Sequence, residues 1–285
     1  MSDGTERLLD SPSSTPQEQV AILAELYSKR AVAYDQLWSP VIRPPAERLL
    51  VDLPLAQARD VIDVGCGSGA LLPLIQARAP LATVLGVDRS EGMLARARAK
   101  HSGPLALMDI QELDLPDDSF DVAVLAYVLF HLPDPQRCLE GIRRILRPGG
   151  TLGIVTWAAE EAPPANKIWD EQLTAAGARA LELPAVDTCD ASDTPEKLSA
   201  LLTAAGYEVV SVRSERIEHR WAADDHYDWH LQSTSRVRLA SLPPDAREGC
   251  LELVRQRLAG RGDDQYLFRG EVLLALASKV GPPTG

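Results

Sequence analysis

Residues 61–69 read Val-Ile-Asp-Val-Gly-Cys-Gly-Ser-Gly, and the architecture of the chain can be built outward from them. The first four residues are long enough for a short buried strand, interrupted only by Asp63. Gly65, Gly67 and Gly69 then remove Cβ atoms where the chain turns sharply and where a ligand can lie against the backbone. Residues 70–79 continue with helical periodicity. The stretch therefore predicts a strand, a tight glycine-rich turn and a helix.

The same alternation of short apolar runs and helical stretches continues to residue 157. It predicts parallel strands joined by right-handed helical crossovers, which is a doubly wound α/β architecture. Strands are predicted over 61–64, 83–87, 105–108, 121–125 and 151–156, and helices over 70–79, 91–100 and 135–146.

The two ends of the chain follow other patterns. Residues 1–19 are polar and are expected to form a flexible tail, with helices from Val20 onward and over 46–53, after Pro44 and Pro45. Beyond residue 157 we expect a loop and helix (158–177), a linker, a helix (194–205), an extended segment (209–220), a largely helical stretch (221–260) and a final strand (271–277).

Composition narrows the possible functions. The chain has 285 residues and a net charge of −12, whereas a general nucleic-acid binder needs a basic surface. Its longest uninterrupted apolar run, residues 122–130, is far shorter than the roughly 20 residues of a membrane-spanning helix. Four scattered cysteines form no CxxC pair, so we expect reduced thiols in a cytoplasmic protein and no metal site.

The spacing of the glycine turn separates two nucleotide-like ligands. A dinucleotide fingerprint is G-x-G-x-x-G, whereas this turn is G-x-G-x-G and is preceded by Asp63, which would repel a pyrophosphate but suits an ammonium group. Asp88 ends the second predicted strand, 19 residues after Gly69, where a carboxylate can accept hydrogen bonds from ribose hydroxyls. S-adenosylmethionine has the ribose and the ammonium group and no phosphate, so the sequence favours it.

Five further motifs extend this interpretation along the chain. Together with the glycine turn they resemble the successive motifs of class I S-adenosylmethionine-dependent methyltransferases, most closely the small-molecule "type 11" group that includes quinone-biosynthesis enzymes. The motifs are Gly86-Val87-Asp88, Asp109-Ile110, the stretch from Leu115 to Asp121, His131-Leu132-Pro133-Asp134 and the stretch from Leu146 to Gly150.

The resemblance implies a Rossmann-like, mostly parallel seven-stranded sheet whose last strand is antiparallel, with a helical lid. It also implies one methyltransferase domain over 20–285, made of N-terminal helices (20–57), a cofactor-binding core (58–157), a substrate lid with additional elements (158–260) and a final strand and tail (261–285). The cofactor-binding residues that it implies are Tyr34, Asp63, Gly65, Gly67, Gly69, Asp88, Arg89, Met93, Asp109, Ile110, Ala126 and Tyr127. In this set Asp109 would accept a hydrogen bond from the adenine amine.

Candidates for the chemistry come from the histidines. His131 directly follows the fourth predicted strand, at the edge of the sheet where ligands bind, and is the leading candidate for a base. A second cluster, within residues 221–230, places His226 and His230 on one face of a helix capped by Asp224 or Asp225. Its aromatic residues Trp221, Tyr227 and Trp229 suit the wall of a substrate pocket, or equally a helix anchored to the core. His101 is expected to be solvated.

These features predict methyl transfer from S-adenosylmethionine to oxygen of a small organic metabolite, with a histidine assisting deprotonation and S-adenosylhomocysteine as the product. No nucleic-acid or membrane partner is expected, and a homodimer is an option. Carbon or nitrogen methylation of a small natural product is the close alternative. An NAD-dependent oxidoreductase and a catalytically silent cofactor-binding protein are further alternatives.

Overall fold

The computed structural model describes residues 15–180 and 189–281. In this part of the chain seven strands form one sheet in the order β3-β2-β1-β4-β5-β7-β6, mostly parallel with one antiparallel strand. The strands are β1 (Asp60–Val64), β2 (Thr83–Asp88), β3 (Leu105–Leu107), β4 (Phe120–Ala126), β5 (Leu146–Glu161), β6 (Tyr207–Arg220) and β7 (Leu267–Lys279). The sheet confirms the predicted doubly wound class.

Helices connect the strands and precede them. They are α1 (Pro16–Lys29), α2 (Ala31–Ala33), α3 (Ser39–Asp52), α4 (Leu72–Arg78), α5 (Glu91–Ala97), α6 (Pro135–Ile145), α7 (Ala165–Ala175), α8 (Pro195–Ala204), α9 (Ala223–Gln232), α10 (Thr234–Ala240) and α11 (Pro244–Leu258). One turn of π-helix, Tyr34–Trp38, joins α2 to α3.

Two compact units make up the described residues. We call them the sheet unit (residues 23–159, 189–217 and 271–281) and the helical unit (residues 15–22, 160–180 and 218–270). The boundaries between them within the described residues fall inside α1, β5, β6 and β7. Residues 181–188, half of the predicted linker (178–193), lie outside the described part.

The core of the sheet unit explains why its strands read as continuous apolar runs. Ile62, Val64, Ala123 and Leu125 are fully buried, as expected for strands covered by helices on both faces. Parallel pairing sets Asp63 opposite Gly86 of β2 and Val124 of β4. The carboxyl ends of β1, β2 and β4 therefore meet at one edge of the sheet.

Some predicted boundaries are wrong at the N-terminal end. The tail was expected to reach residue 19, but α1 begins at Pro16, because Thr15 and Glu18 exchange backbone-to-side-chain hydrogen bonds of 2.8 and 3.3 Å in a capping box. The remainder of that predicted tail, residues 1–14, lies outside the described residues. The second helix was expected from residue 46, but α3 begins at Ser39 and contains Pro44 and Pro45. Burial of Val41, Pro45, Ala46, Leu49 and Leu50 along one face offsets the backbone hydrogen bonds that the prolines cannot donate.

His101 also departs from expectation. Its side chain is buried, and Nε2 lies 2.8 Å from the Val84 carbonyl oxygen, so it joins the end of α5 to β2. The polar neighbours Lys100 and Ser102 predicted that the His101 side chain is exposed to solvent. Past the end of a helix, however, the sequence pattern does not determine which side chains face the sheet.

Candidate active site

The glycine-rich turn has the geometry that its sequence predicts. Gly65, Gly67 and Gly69 all have positive φ, of 75°, 53° and 75°. A Cβ on Gly65 would lie 2.5 Å from a methyl carbon of Val128, and one on Gly69 would lie 2.9 Å from the Ala97 Cα atom. A Cβ on Gly67 would meet nothing within 4 Å. Two of the glycines therefore allow close packing of protein, and the third leaves an open surface for a ligand.

Asp88 ties this turn to the end of β2. Its carboxylate accepts hydrogen bonds of 2.8 Å from the backbone N–H groups of Gly67 and Ser90. Burial raises the pKa of Asp88, although these two hydrogen bonds act to lower it. The side chain thus holds the turn in place from the position at which the sequence predicted a ribose contact.

Asp63 is the buried charge of the site. It is 2% exposed, and its Oδ2 atom has no hydrogen-bond partner among the described residues. Burial, and then repulsion from Asp88, raises the pKa of Asp63 to about 7. A buried carboxylate oxygen without a partner is costly unless a donor is supplied, so this atom marks a place for a cationic ligand group.

A cavity in the sheet unit opens beside this carboxylate. Its lining includes Asp63, Gly65 and Ser68 from the glycine turn, Tyr34 and Arg43 from the N-terminal helices, and Tyr127 after β4. Ala126 also lines the cavity. Tyr127 has a positive φ of 58°, its backbone N–H donates to the Val155 carbonyl, and its ring lies 5.1 Å from that of Trp157.

The N-terminal segment is fastened to this region through Asp35. Its carboxylate accepts hydrogen bonds from Ser68 Oγ (2.8 Å), from Arg96 (3.1 Å) and from the Lys100 ammonium group. Burial alone would raise the pKa of Asp35, but the hydrogen bonds from Lys100, Ser68 and Arg96 lower it below its ordinary value. This set of contacts places Tyr34, the preceding residue, at the cavity.

His131 has a partner that sequence reasoning missed. Its Nε2 atom lies 2.9 Å from the hydroxyl of Tyr27, and the two rings meet edge to face. The Tyr27 ring also contacts that of Tyr34, with 5.5 Å between centroids, and the Arg30 guanidinium lies 4.3 Å from the Tyr27 centroid. Burial raises the pKa of Tyr34 well above its ordinary value, so its hydroxyl stays protonated. A chain of polar aromatic groups therefore runs from His131 through Tyr27 to the cavity residue Tyr34.

The residues predicted to border the adenine follow Asp88 in the sequence. Met93 and Ile110 are buried, and Ser90 caps α5 by accepting a 3.3 Å hydrogen bond from the Met93 N–H. Arg89 donates to Asp109 at 2.8 Å, in a pair that is partly exposed. The Asp109 carboxylate, expected to accept from adenine, thus already has a cationic partner from the end of β2.

The second histidine cluster lies in the helical unit. His226 and His230 are 1% and 8% exposed, and each places Nε2 near Asn166 Oδ1, at 2.7 and 3.1 Å. His230 Nδ1 also lies 2.8 Å from Ser235 Oγ, and its ring stacks on Trp169 at 4.7 Å. Burial lowers the pKa of His226 to about 4 and of His230 to about 3, the latter with a contribution from His226.

Aromatic residues surround these histidines. The Trp221 ring lies 6.5 Å from that of His226 and 6.1 Å from that of Trp229, and Tyr227 contacts Trp169 at 5.0 Å. The expected cap is wrong: α9 begins at Ala223 without a side-chain cap, and Asp224 and Asp225 lie in its first turn. Within residues 15–180 and 189–281 no cluster of three or more His, Cys, Asp or Glu could hold a metal ion, and no helix is long and apolar enough to cross a membrane.

Comparison with known proteins shows the family of this chain. Residues 62–154 match a family described as a methyltransferase domain. The trans-aconitate 2-methyltransferase of Methylobacterium radiotolerans is 34% identical over 245 residues, which are 83% of this chain and 93% of that protein. The phosphatidylethanolamine N-methyltransferase of Cereibacter sphaeroides is 35% identical over 143 residues, 48% of this chain and 68% of that protein.

Solved structures agree on the fold. A crystal structure from Bacillus halodurans C-125, described as that of a candidate methyltransferase, has a TM-score of 0.51 and 20% identity, covering 82% of this chain and 97% of that one. The chain belongs to the class I S-adenosylmethionine-dependent methyltransferases that act on small molecules.

The site fits the cofactor of this family on two structural observations. The unpartnered Asp63 oxygen offers an acceptor for the ammonium group of S-adenosylmethionine, and the open side of Gly67 leaves room for it against the backbone. The cofactor is therefore S-adenosylmethionine, with S-adenosylhomocysteine as its product after transfer.

Proposed function

We propose that the enzyme methylates an oxygen atom of a small organic metabolite, with His131 as the base where the acceptor is a hydroxyl. The observation that carries this proposal is the 2.9 Å contact between His131 Nε2 and the Tyr27 hydroxyl, because the Tyr27 ring contacts the ring of Tyr34, which lines the cavity. A histidine changes charge near neutral pH, which suits a group that must take a proton from a nucleophile.

A relative supports oxygen as the acceptor atom. The Methylobacterium radiotolerans relative, which aligns over 93% of its length, is named for trans-aconitate, a tricarboxylate whose nucleophilic lone pairs are on oxygen. A carboxylate arrives ionised at neutral pH, so its methylation needs positioning and no base. The proposed role of His131 therefore applies to hydroxyl acceptors and not to carboxylates.

The residues of the sheet unit would divide the work as follows. When bound, S-adenosylmethionine supplies an activated methyl group and a neutral thioether leaving group. Asp88 would hold the ribose hydroxyls, Asp63 the ammonium group, and Met93, Ile110, Arg89 and Asp109 would border the adenine. Ala126 and Tyr127 would lie by the methionine end, and Tyr34 would cover the cavity. Where the acceptor is a hydroxyl, His131 would take up the proton that the acceptor oxygen loses on methylation.

We assign a structural role to the histidines of the helical unit. His226 and His230 are buried, neutral and hydrogen-bonded to Asn166, which suits a polar link within a hydrophobic core better than proton transfer. The aromatic residues Trp221, Tyr227 and Trp229 stay candidates for a substrate wall. A homodimer stays a prediction that sedimentation velocity would test.

The acceptor atom can be identified directly. Purified enzyme is incubated with S-adenosylmethionine carrying a 13C methyl group and with trans-aconitate, simple carboxylates, phenols and amines in turn. The 13C shift of the product distinguishes methyl on oxygen, nitrogen and carbon, and mild alkali releases methanol from a methyl ester alone. Label found on nitrogen or carbon, with none on oxygen, would refute the proposal.

Nitrogen methylation is the second candidate. It is favoured by the relative named phosphatidylethanolamine N-methyltransferase, which is 35% identical over 143 residues, or 48% of this chain. An amine has to arrive neutral and needs no base afterwards, so replacing His131 would leave its methylation rate unchanged. The Arg43 cation at the cavity disfavours an acceptor with a permanent positive charge.

A further inference from the structure

Arg30 lies between α1 and α2, and backbone hydrogen bonds extend from it in both directions. Its N–H donates to the Leu26 carbonyl at 3.2 Å, and its own carbonyl accepts from the Tyr34 N–H at 2.8 Å. Tyr27, Arg30 and Tyr34 are spaced as i, i+3 and i+7, so these bonds place the three side chains on one face of the N-terminal segment.

The Arg30 side chain is a cation without an acidic partner. Its Nε atom is buried and makes no hydrogen bond, and no carboxylate among the described residues forms an ion pair with it. Arg89 and Arg96 also have one unpartnered buried nitrogen each, but both donate to a carboxylate, at 2.8 and 3.1 Å. A partly desolvated guanidinium is costly unless an anion compensates its charge, so Arg30 is suited to bind an anion from outside the chain.

Tyr27 connects this cation to the proposed base. The Arg30 guanidinium lies 4.3 Å from the centroid of the Tyr27 ring, and the hydroxyl of the same tyrosine lies 2.9 Å from His131 Nε2. An arginine that contacts an aromatic face keeps N–H groups at its edges, where a pair of them matches the two oxygens of a carboxylate. A molecule bound by this guanidinium would therefore lie close to His131.

Two acidic residues act on the same region and make a cation there necessary for an anionic ligand. Asp63 lines the cavity, and repulsion from Asp88 is the second cause, after burial, of its raised pKa. Burial, and then Tyr27, raises the pKa of Tyr34; Asp88 adds to this rise, and Arg30 opposes it. An anion beside Tyr34 would thus be repelled by Asp88 and attracted by Arg30.

We infer that Arg30 binds a carboxylate group of the methyl acceptor and thereby selects acidic metabolites as substrates. The inference rests on the proposed function for the identity of the bound molecule as the acceptor. A single guanidinium balances the single charge of a carboxylate and can bind both of its oxygens. The bound carboxylate anchors the acceptor, and the atom that is methylated is another atom of the same molecule.

The test measures the binding of carboxylates to protein saturated with S-adenosylhomocysteine, by titration calorimetry. The probes are trans-aconitate, succinate and benzoate, with succinamide as the uncharged match of succinate and inorganic phosphate as a second kind of anion. The variants are Arg30→Gln and Arg30→Lys. Lys29→Gln is the matched control, because it removes the same charge from the adjacent residue, whose ammonium group pairs with Glu25 at 3.0 Å.

We expect at least one of the carboxylates to bind the wild-type protein, and Arg30→Gln to weaken that binding at least about tenfold. Arg30→Lys should retain part of the affinity, since a lysine keeps the charge but loses the planar pair of donors. Lys29→Gln should bind the carboxylates as tightly as wild type, and succinamide should bind more weakly than succinate. The affinity for S-adenosylhomocysteine itself should be the same in wild type and Arg30→Gln.

Several outcomes would overturn the inference: no carboxylate binds wild type, Arg30→Gln binds them undiminished, or Lys29→Gln loses as much affinity as Arg30→Gln. Binding of phosphate in preference to every carboxylate would overturn it too. A loss of S-adenosylhomocysteine affinity in Arg30→Gln as large as the loss of carboxylate affinity would assign the cation to the cofactor and not to the acceptor. Melting temperatures measured without ligand separate misfolding from lost binding.

This comparison is independent of the search for the methylated atom. Calorimetry with S-adenosylhomocysteine needs no turnover, so a product labelled on nitrogen or carbon refutes oxygen methylation and leaves the carboxylate contact intact. An uncharged oxygen acceptor, together with no binding of carboxylates, would refute the contact alone.

Discussion

At the scale of a single residue, Asp88 combines a structural role with the proposed role in cofactor binding. Its carboxylate fixes the glycine turn through the Gly67 and Ser90 N–H groups, and the same oxygens have lone pairs left to accept from ribose hydroxyls. Removing the side chain would therefore take away both the proposed ligand contact and the support of the glycine turn.

We expect Asp88→Ala to weaken S-adenosylhomocysteine binding at least about 100-fold, since hydrogen bonds to a charged group contribute roughly 1.5–3 kcal/mol each. Titration calorimetry measures the change, and Asp114→Ala, at an exposed position outside the glycine turn, is a matched control. Undiminished affinity in Asp88→Ala would end the assignment of this carboxylate to the cofactor.

The proposed contact between Asp63 and the cofactor's ammonium group predicts that cofactor binding depends on pH. Because its pKa is raised to about 7, the carboxyl group is largely protonated below neutral pH in the free protein. An ammonium group binds the ionised form, so binding must release a proton there. We expect the affinity for S-adenosylhomocysteine to rise between pH 6 and 8, with proton release visible as a buffer-dependent enthalpy.

Asp63→Asn provides the comparison for this effect. An amide of the same shape cannot ionise, so this variant should bind more weakly and with little dependence on pH over the same range. A pH dependence that persists unchanged in Asp63→Asn would assign the titration to another group. For the free protein the sign is opposite: a folded pKa above the unfolded one means that stability falls as pH rises from about 4 to about 7.

At the scale of elements, substitutions in the glycine turn can distinguish effects on folding from effects on ligand binding. Gly69→Ala would force a Cβ to within 2.9 Å of the Ala97 backbone, and Gly67→Ala meets open space. We expect Gly69→Ala to lower the free energy of unfolding by more than about 2 kcal/mol. Gly67→Ala should cost only the roughly 1–2 kcal/mol of a left-handed alanine yet greatly weaken S-adenosylhomocysteine binding. Denaturant unfolding and calorimetry measure the two effects, and wild-type affinity in Gly67→Ala would show that the ligand does not use this surface.

The contacts of Asp35 hold the N-terminal segment against the glycine turn and α5. Asp35→Ala would leave Ser68, Arg96 and Lys100 without this acceptor, and we expect it to lower the free energy of unfolding by about 1–3 kcal/mol. Because the folded pKa lies below the unfolded one, the contribution is present above pH 4 and is lost as pH falls through the folded value. Denaturation curves of wild type and Asp35→Ala should converge in that acid range, and a constant difference between them would contradict the electrostatic origin.

Local sequence patterns predicted the positions of strands and helices well, but they did not predict which residues of different elements contact each other. Strands β1, β2 and β4 match their predicted ranges to within one residue at each end, because continuous apolar runs bounded by turn residues have few other interpretations. The capping box at Thr15 is also a local signal, which the polar composition of the tail obscured. The Tyr27–His131 contact joins residues 104 apart in sequence, so periodicity contains no information about it.

At the scale of the whole molecule, the two units should respond differently to acid. In the helical unit, His226 and His230 are neutral when folded, with pKa values of about 4 and 3 against an ordinary 6.5. The unfolded chain therefore binds more protons below pH 6.5, and stability falls as pH decreases. Each histidine contributes a slope of up to about 1.4 kcal/mol per pH unit between pH 6.5 and 4.

Tryptophan fluorescence can follow this effect, because Trp169, Trp221 and Trp229 belong to the helical unit. We expect denaturant unfolding of wild type to shift steeply to lower midpoints between pH 6.5 and 4.5. The double variant His226→Gln, His230→Gln should be less stable at pH 8 but show a flatter pH profile. Parallel profiles for the two proteins would rule out these histidines as the source.

The sequence predicted less of this unit. The pattern of residues 221–230 placed two histidines on one face of a predicted helix, and the structure confirms the helix as α9. Their common partner Asn166 comes from α7, 60 residues from His226, and no local feature pointed to it. Whether a histidine is a base or a buried link depends on such distant partners.

Three separate stretches of the described chain, 15–22, 160–180 and 218–270, assemble the helical unit. A recombination experiment with a related enzyme would therefore need several coordinated crossover points, because exchanging any one stretch leaves a mosaic of foreign and native surfaces inside one hydrophobic core. Chimaeras with a single junction should consequently fail to fold. The helical unit can pass intact from one gene to another only when the whole coding sequence is transferred.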